Sequence, residues 1–352
     1  MTADFVIVGA GAVGLTSAIA LLTEGYRVTL VERGEVGHEA SWAGGGIMSP
    51  LCSWDYQDSV TRLAHRSMAM FPEAAALLHA QTGIDPEYIR SGMLVLPPFD
   101  MAQAQNWCAQ HEFPAQPCDS ASYLSGHNGL LLPEVAQVRN PRLLQALRRR
   151  VTMLGGEIRE QQEVLALEVQ GDCISALHTT QGEVAADAFI VTAGAWSKQL
   201  LGEHALHMDV KPIRGQILLF KFDTPPIEHI LVRSGLYLIP RRDGHVLVGS
   251  TLEDVGFDKS TTVAAREDML RKVYEILPAW RDHAPIRHWA GFRPGSPDNI
   301  PTIGRHPSLT NLYANTGHFR YGVTMSLASA ELLVNEIGQR PQALPVDAYR
   351  WR

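Results

Sequence analysis

The sequence predicts an α/β chain in which a parallel-sheet unit is interwoven with a second domain built on an antiparallel sheet. Three observations carry that expectation. The first 32 residues read as strand, helix and strand, and short buried strands of the same kind recur at Ala188 to Val191 and at Leu312 to Ala314. Between them lie alternating segments joined by hairpin turns, which suit antiparallel pairing.

Taken in order, Phe5 to Val8 is an apolar strand that runs into glycines, and Val13 to Leu22 follows as a helix that Gly25 stops. Arg27 to Val31 is a β-branched strand closed by Glu32. Ala40 to Pro50 is rich in small residues around Gly44-Gly45-Gly46, and Ser59 to Gln81 reads as a helix broken near Pro72. Gly92 to Pro98 is a strand, Pro114 to Pro117 a loop, and Asn140 to Leu154 a helix with Pro141 in its first turn. Glu157 to Val169 and Ile174 to Thr180 pair through the Gly171-Asp172 turn. Lys211 to Phe222, Leu236 to Arg241 and His245 to Ser250 alternate as antiparallel strands, and Ala264 to Leu277 and Thr324 to Ile337 are helices. The first domain is expected to take residues 1–80, 138–207 and 287–352, and the second 81–137 and 208–286.

Composition narrows the function. Of 352 residues, 45% are hydrophobic and 19% charged, which is ordinary for a globular protein, and the net charge of −7 argues against a nucleic-acid surface. No apolar run reaches the roughly 18 to 20 residues of a membrane span, and nothing at the N-terminus reads as a signal peptide. Cys52, Cys108, Cys118 and Cys173 lie far apart with no CxxC pair, so neither a disulfide framework nor a zinc site is expected and a cytoplasmic location suits the chain. The 14 histidines form no cluster with ligand spacing, and no metal is expected.

Gly9-Ala10-Gly11-Ala12-Val13-Gly14 sits between the first strand and the first helix. In a Rossmann-type unit the first glycine makes the turn, the second admits a pyrophosphate against the backbone, and the third lets helix and strand pack closely. The helix N-terminus favours the phosphates, and Glu32, followed by Arg33, stands where an acid accepts ribose hydroxyls. The chain then departs from regular βα units into Ser41-Trp42-Ala43-Gly44-Gly45-Gly46, small residues against which a flat ring and ribityl chain fit. Gly317-His318-Phe319-Arg320-Tyr321-Gly322-Val323-Thr324 precedes and opens the last helix, whose positive N-terminal end would favour charge at the N1/C2=O edge of a flavin. FAD rather than NAD is therefore the expected cofactor.

Five stretches resemble the D-amino-acid oxidase superfamily, and within it the glycine oxidases linked to thiamine biosynthesis. They are Ala40 to Gly46, Thr192-Ala193-Gly194-Ala195-Trp196-Ser197, Pro240-Arg241-Arg242-Asp243-Gly244, Trp289 to Ser296, and Gly317 to Arg320. The resemblance spans nearly the whole chain. It implies non-covalent FAD, with Val164, Ala193, Gly194 and Trp196 also near it, and a homotetramer. It implies hydride transfer from the Cα of a small amino acid to flavin N5, imine hydrolysis, and reoxidation by O2 to H2O2. Glycine would give glyoxylate and ammonia.

Such a reaction needs a cationic clamp for the substrate carboxylate, and arginine's planar fork supplies two parallel bonds. The resemblance assigns the clamp to Arg293, a carboxylate contact to Tyr237, and a second cation near substrate and flavin to Arg320. Without it, a lone arginine is more often a solvated charge and Tyr237 a core aromatic with a wet tip. No general base is expected, since orientation over the flavin carries much of the rate, and His245 and His318 read as structural or as cofactor lining. Tyr321 and Val323-Thr324-Met325-Ser326 depart from the family pattern, and Trp42 and Trp54 add bulk expected to narrow or reshape the cavity. Three alternatives stand beside this reading: a dehydrogenase passing electrons to a quinone, a sarcosine oxidase with cysteine-tethered flavin, and a non-catalytic flavin-binding protein.

Overall fold

The computed structural model describes residues 3–119 and 129–351. Its first sheet has six strands, ordered Thr302–Arg305, Leu312–Thr316, Ala188–Val191, Asp4–Val8, Arg27–Val31 and Glu157–Arg159. All pair in parallel except the Thr302–Arg305 edge. Strands from the start, middle and end of the chain thus lie side by side, as their near-continuous apolar character requires of a sheet covered on both faces. Helices Ala12–Thr23, Asp58–Thr82, Asn140–Met153 and Gly322–Ile337 share one apolar core with this sheet.

The second sheet has eight strands, ordered Arg287–Gly295, Lys211–Lys221, His245–Gly249, Leu236–Pro240, Ile230–Arg233, Met93–Val95, Gly129–Leu132 and Gln116–Cys118. Only Ile230–Arg233 and Met93–Val95 pair in parallel. Helix Val263–Ile276 packs on one face, where Leu218, Phe220, Val248 and Trp280 are buried. A three-stranded meander, Val164–Gln170, Cys173–Thr179 and Gly182–Val184, stands apart from both sheets.

Several elements differ from expectation, each for a physical reason. Asp58–Thr82 is one continuous helix with Pro72 inside it. Tertiary contact with the last helix supports it, through the Arg66–Glu331 pair and the Ala328 N–H, which donates to the Ser67 hydroxyl, so one lost backbone bond does not end it. Pro117, expected in a loop, sits in an edge strand, where a missing N–H costs no ladder bond. The expected strand from Glu157 to Val169 is two strands, parted near Gln161, whose φ is +58°. Arg287–Gly295 was not expected as a strand at all. It runs the length of Lys211–Lys221 in the antiparallel sheet, although the boundary at 287 assigns it to the nucleotide unit.

Candidate active site

Both sheets deliver loops to one cavity of about 410 Å³. Its nucleotide end is built at the C-terminal end of the Asp4–Val8 strand. Gly9 has φ +104°, and a Cβ there would stand 2.8 Å from the Thr192 carbonyl oxygen, so the turn closes against the neighbouring strand's loop only with glycine. A Cβ on Gly14 would collide with the Gly9 carbonyl oxygen, which fixes how closely the first helix approaches the turn. Glu32 is buried, and its carboxylate accepts from the Ala10 N–H at 2.8 Å and the Gly34 N–H at 3.0 Å. Ser41 Oγ accepts from the Ala12 N–H at 2.9 Å, tying the small-residue segment to the helix N-terminus.

Gly9, Gly11, Val13, Glu32, Arg33, Ser41, Ala43, Gly44, Gly45, Gly46, Val164, Ala193, Gly194, Trp196 and every residue from Gly317 to Thr324 line the cavity. Ala10 and Gly14 do not; they lie beneath the loop and shape it. Arg33 places its guanidinium 3.5 Å over the Trp196 ring centroid, and Trp196 stacks on Phe257. His318 is buried, its Nε2 is 2.8 Å from Ser329 Oγ, and burial pushes its pKa down to about 3. At that value it is neutral at neutral pH, and it lines the cavity. His245 lies outside the cavity, with Nδ1 3.0 Å from Asp243 Oδ1.

At the other end, Tyr237 and Arg293 project from two strands of the antiparallel sheet, and Arg320 comes from the loop before the last helix. The Arg293 guanidinium donates to the Thr251 carbonyl at 3.1 Å and to Ser250 Oγ. It lies over Gly215, where any side chain would collide with it. Burial lowers its pKa, Arg320 adds to the fall, and Tyr237 opposes it. Around Arg320, burial works against the charge, but the phenols of Tyr321, Tyr56 and Tyr237 outweigh it and raise the pKa. The hydroxyls of Tyr321 and Tyr56 are hydrogen-bonded to each other, and Arg320 Nη1 reaches Tyr56 at 3.5 Å.

Trp42 and Trp54 do not narrow this cavity. Trp42 packs on Trp289 at the surface and Trp54 is buried against Phe99, both away from the lining. Tyr321 and Thr324 do line it, and Thr324 Oγ1 donates to the Ile47 carbonyl at 2.9 Å. Sequence reasoning missed Asn140, whose amide donates to the carbonyls of Ser41 at 2.6 Å and Gly44 at 3.1 Å, and Ser250 and Gly215 beside Arg293. Asn140 opens a helix just before Pro141, where a polar residue reads as an ordinary helix start. The other two carried no local signal.

The residues fit FAD. Glycines clear one wall, a buried carboxylate stands at the turn after the second strand, and the first turn of a 16-residue helix lines the opposite wall. No cysteine among the described residues lines the cavity, and no described helix is long and apolar enough to cross a membrane.

Comparison with known proteins agrees. The family model "DAO: FAD dependent oxidoreductase" matches residues 4–336. A glycine oxidase of Pseudomonas aeruginosa is 42% identical over 349 residues, covering 97% of this chain and 96% of that protein. A glycine oxidase of Pseudomonas putida is 39% identical, covering 95% and 94%. The crystal structure of glycine oxidase from Geobacillus kaustophilus superposes with a TM-score of 0.93 at 23% identity, over 100% of this chain and 99% of that one, and so shares the fold. This chain belongs to the DAO family of FAD-dependent oxidoreductases.

Proposed function

We propose that this protein is a glycine oxidase: glycine, H2O and O2 give glyoxylate, ammonia and H2O2. Sarcosine and small D-amino acids are the related substrates. The observation that carries the reading is the half-buried Arg293 guanidinium, set beside Tyr237 and opening into the same cavity as the glycine turns. Protein identity of 42% across 97% of the chain to a glycine oxidase supports it.

Arg293 and Tyr237 bind the substrate carboxylate, and Arg320 adds positive potential at the same end. FAD, when bound, supplies the hydride acceptor, and O2 the final oxidant. The chain's own contribution is orientation, water exclusion and fixed charge. Glu32, Gly9 and Gly11 serve the nucleotide half; Gly44 to Gly46 and Gly317 to Thr324 serve the ring. Attachment is non-covalent on this reading, as the resemblance to the glycine oxidases implies. The domain division fits the sheets better if Arg287–Gly295 joins the substrate domain. Association as a homotetramer in the cytoplasm completes the proposal, and sedimentation tests the assembly.

The functional test is an aerobic assay with glycine, sarcosine, D-alanine and D-proline. Equimolar glyoxylate and H2O2 from glycine are expected. Amine-dependent reduction of a quinone dye, without peroxide in air, would make the chain a dehydrogenase instead. No turnover of any amine would leave only a flavin-binding protein.

A further inference from the structure

Arg241 lies just beyond the strand Leu236–Pro240, in a turn that the reaction described above does not use. Its side chain is buried, 4% exposed, and none of its hydrogen bonds goes to a carboxylate. Nη1 donates to Gln137 Oε1 at 2.6 Å and to the Val138 carbonyl at 2.9 Å, and Nη2 donates to the Gly45 carbonyl at 2.6 Å. An arginine taken out of water with no carboxylate among its hydrogen-bond partners needs every such acceptor, though Glu87 and Asp243 are near enough to favour its charge. Burial draws its pKa down to about 10, so it stays charged at neutral pH.

The place of the third acceptor gives the residue a role. Each carbonyl of the Gly44–Gly46 loop has one partner: Gly44 accepts from Asn140, Gly46 from the Val138 N–H at 2.8 Å, and Gly45 from Arg241. Two of these come from the nucleotide side, and Arg241 alone comes from the substrate sheet. Tyr237 and Ile239 share one face of the strand by its two-residue period, and Arg241 follows two residues on, just past its end. A Cβ on Gly45 would meet Ile239 Cδ1 at 2.5 Å and Tyr237 Cε2 at 3.2 Å, so the same face seats the loop.

We propose that Arg241 is a positioning residue that fastens the strand carrying Tyr237 to the Gly44–Gly46 loop, setting the substrate clamp in register with the flavin site. The proposal rests on the functional reading above. Through this link, loss of Arg241 disturbs both FAD affinity and glycine binding, though the residue lines neither.

The test compares wild type, Arg241→Met and Arg241→Lys. FAD is stripped, and the dissociation constant for rebinding is measured by quenching of flavin fluorescence. The glycine KM is then measured at saturating FAD, and the melting temperature of each apoprotein is recorded. Arg241→Met is expected to weaken FAD at least ten-fold and raise KM at least five-fold, with Arg241→Lys recovering part of both. A lower melting temperature with FAD affinity and KM unchanged overturns the proposal. If Arg241→Met does not fold, Arg241→Lys decides, and values within two-fold of wild type overturn it. A wild type that takes up no FAD overturns the functional reading, and both fall together.

Discussion

Gly215 faces Gly291 across two paired strands, and the Arg293 guanidinium lies where its Cβ would be. Gly215→Ala must therefore push the guanidinium off the Ser250 and Thr251 contacts that aim it. The glycine KM is expected to rise at least ten-fold while the visible spectrum keeps its bound-flavin shape. Arg293→Met removes the clamp outright and should cost about 100-fold in kcat/KM, or roughly 3 kcal/mol. Unchanged kinetics in both variants would remove Arg293 from the site. Tyr321→Phe is milder: it breaks the hydroxyl pair with Tyr56, which also receives Arg320, and should shift KM about two- to five-fold. Arg293 and Arg320 were legible because each stands in a stretch whose resemblance is specific, and Tyr237 only as a single matching tyrosine ahead of Pro240 to Gly244. Gly215 and Asn140 stayed hidden because their work is steric clearance and carbonyl bonding across more than 70 residues, which no local pattern records.

Among the elements, the segment after His245–Gly249 has its own acid sensitivity. Arg214, buried on the Lys211–Lys221 strand, bonds Glu253 at 2.6 Å and Asp258 at 2.8 Å, and Gln216 adds a further bond to Glu253. Burial raises the Glu253 pKa, but Arg214, Thr251 and Gln216 outweigh it and hold the carboxyl below its usual value. Asp258 is lowered first by Ser260 and then by Arg214. Both folded pKa values lie below the unfolded ones, so this stability is fully present above about pH 4.5 and is lost as pH falls through the lower folded values. Amide protection in 251–262, taken relative to the intrinsic exchange rate at each pH, should fall below that pH before protection in the parallel sheet does. A segment as protected at pH 3 as at pH 7 would contradict the network's role. Element reading from sequence succeeded where periodicity and glycine punctuation agree, as in the first β-α-β unit. It failed at Pro72 and Pro117, where packing against another helix, or a place at a sheet edge, decides what the local breaker does.

For the whole molecule, interweaving is the functional device. Strands from three distant parts of the chain make the nucleotide sheet, while Arg287–Gly295 carries Arg293 into the antiparallel sheet just before the chain returns to it. The sequence foretold the interweaving from where parallel-type strands recur. The strand Arg287–Gly295 itself was not read from sequence, because a strand paired for nine residues with a distant partner has no turn signal to announce it. In the function proposed above, one cavity holds FAD and glycine in reacting contact. Its most direct test is anaerobic addition of glycine to the purified flavoprotein, followed by air. The flavin's visible absorption band should bleach, then recover with one H2O2 per flavin. A flavin that stays oxidised under excess glycine, sarcosine, D-alanine and D-proline would contradict it.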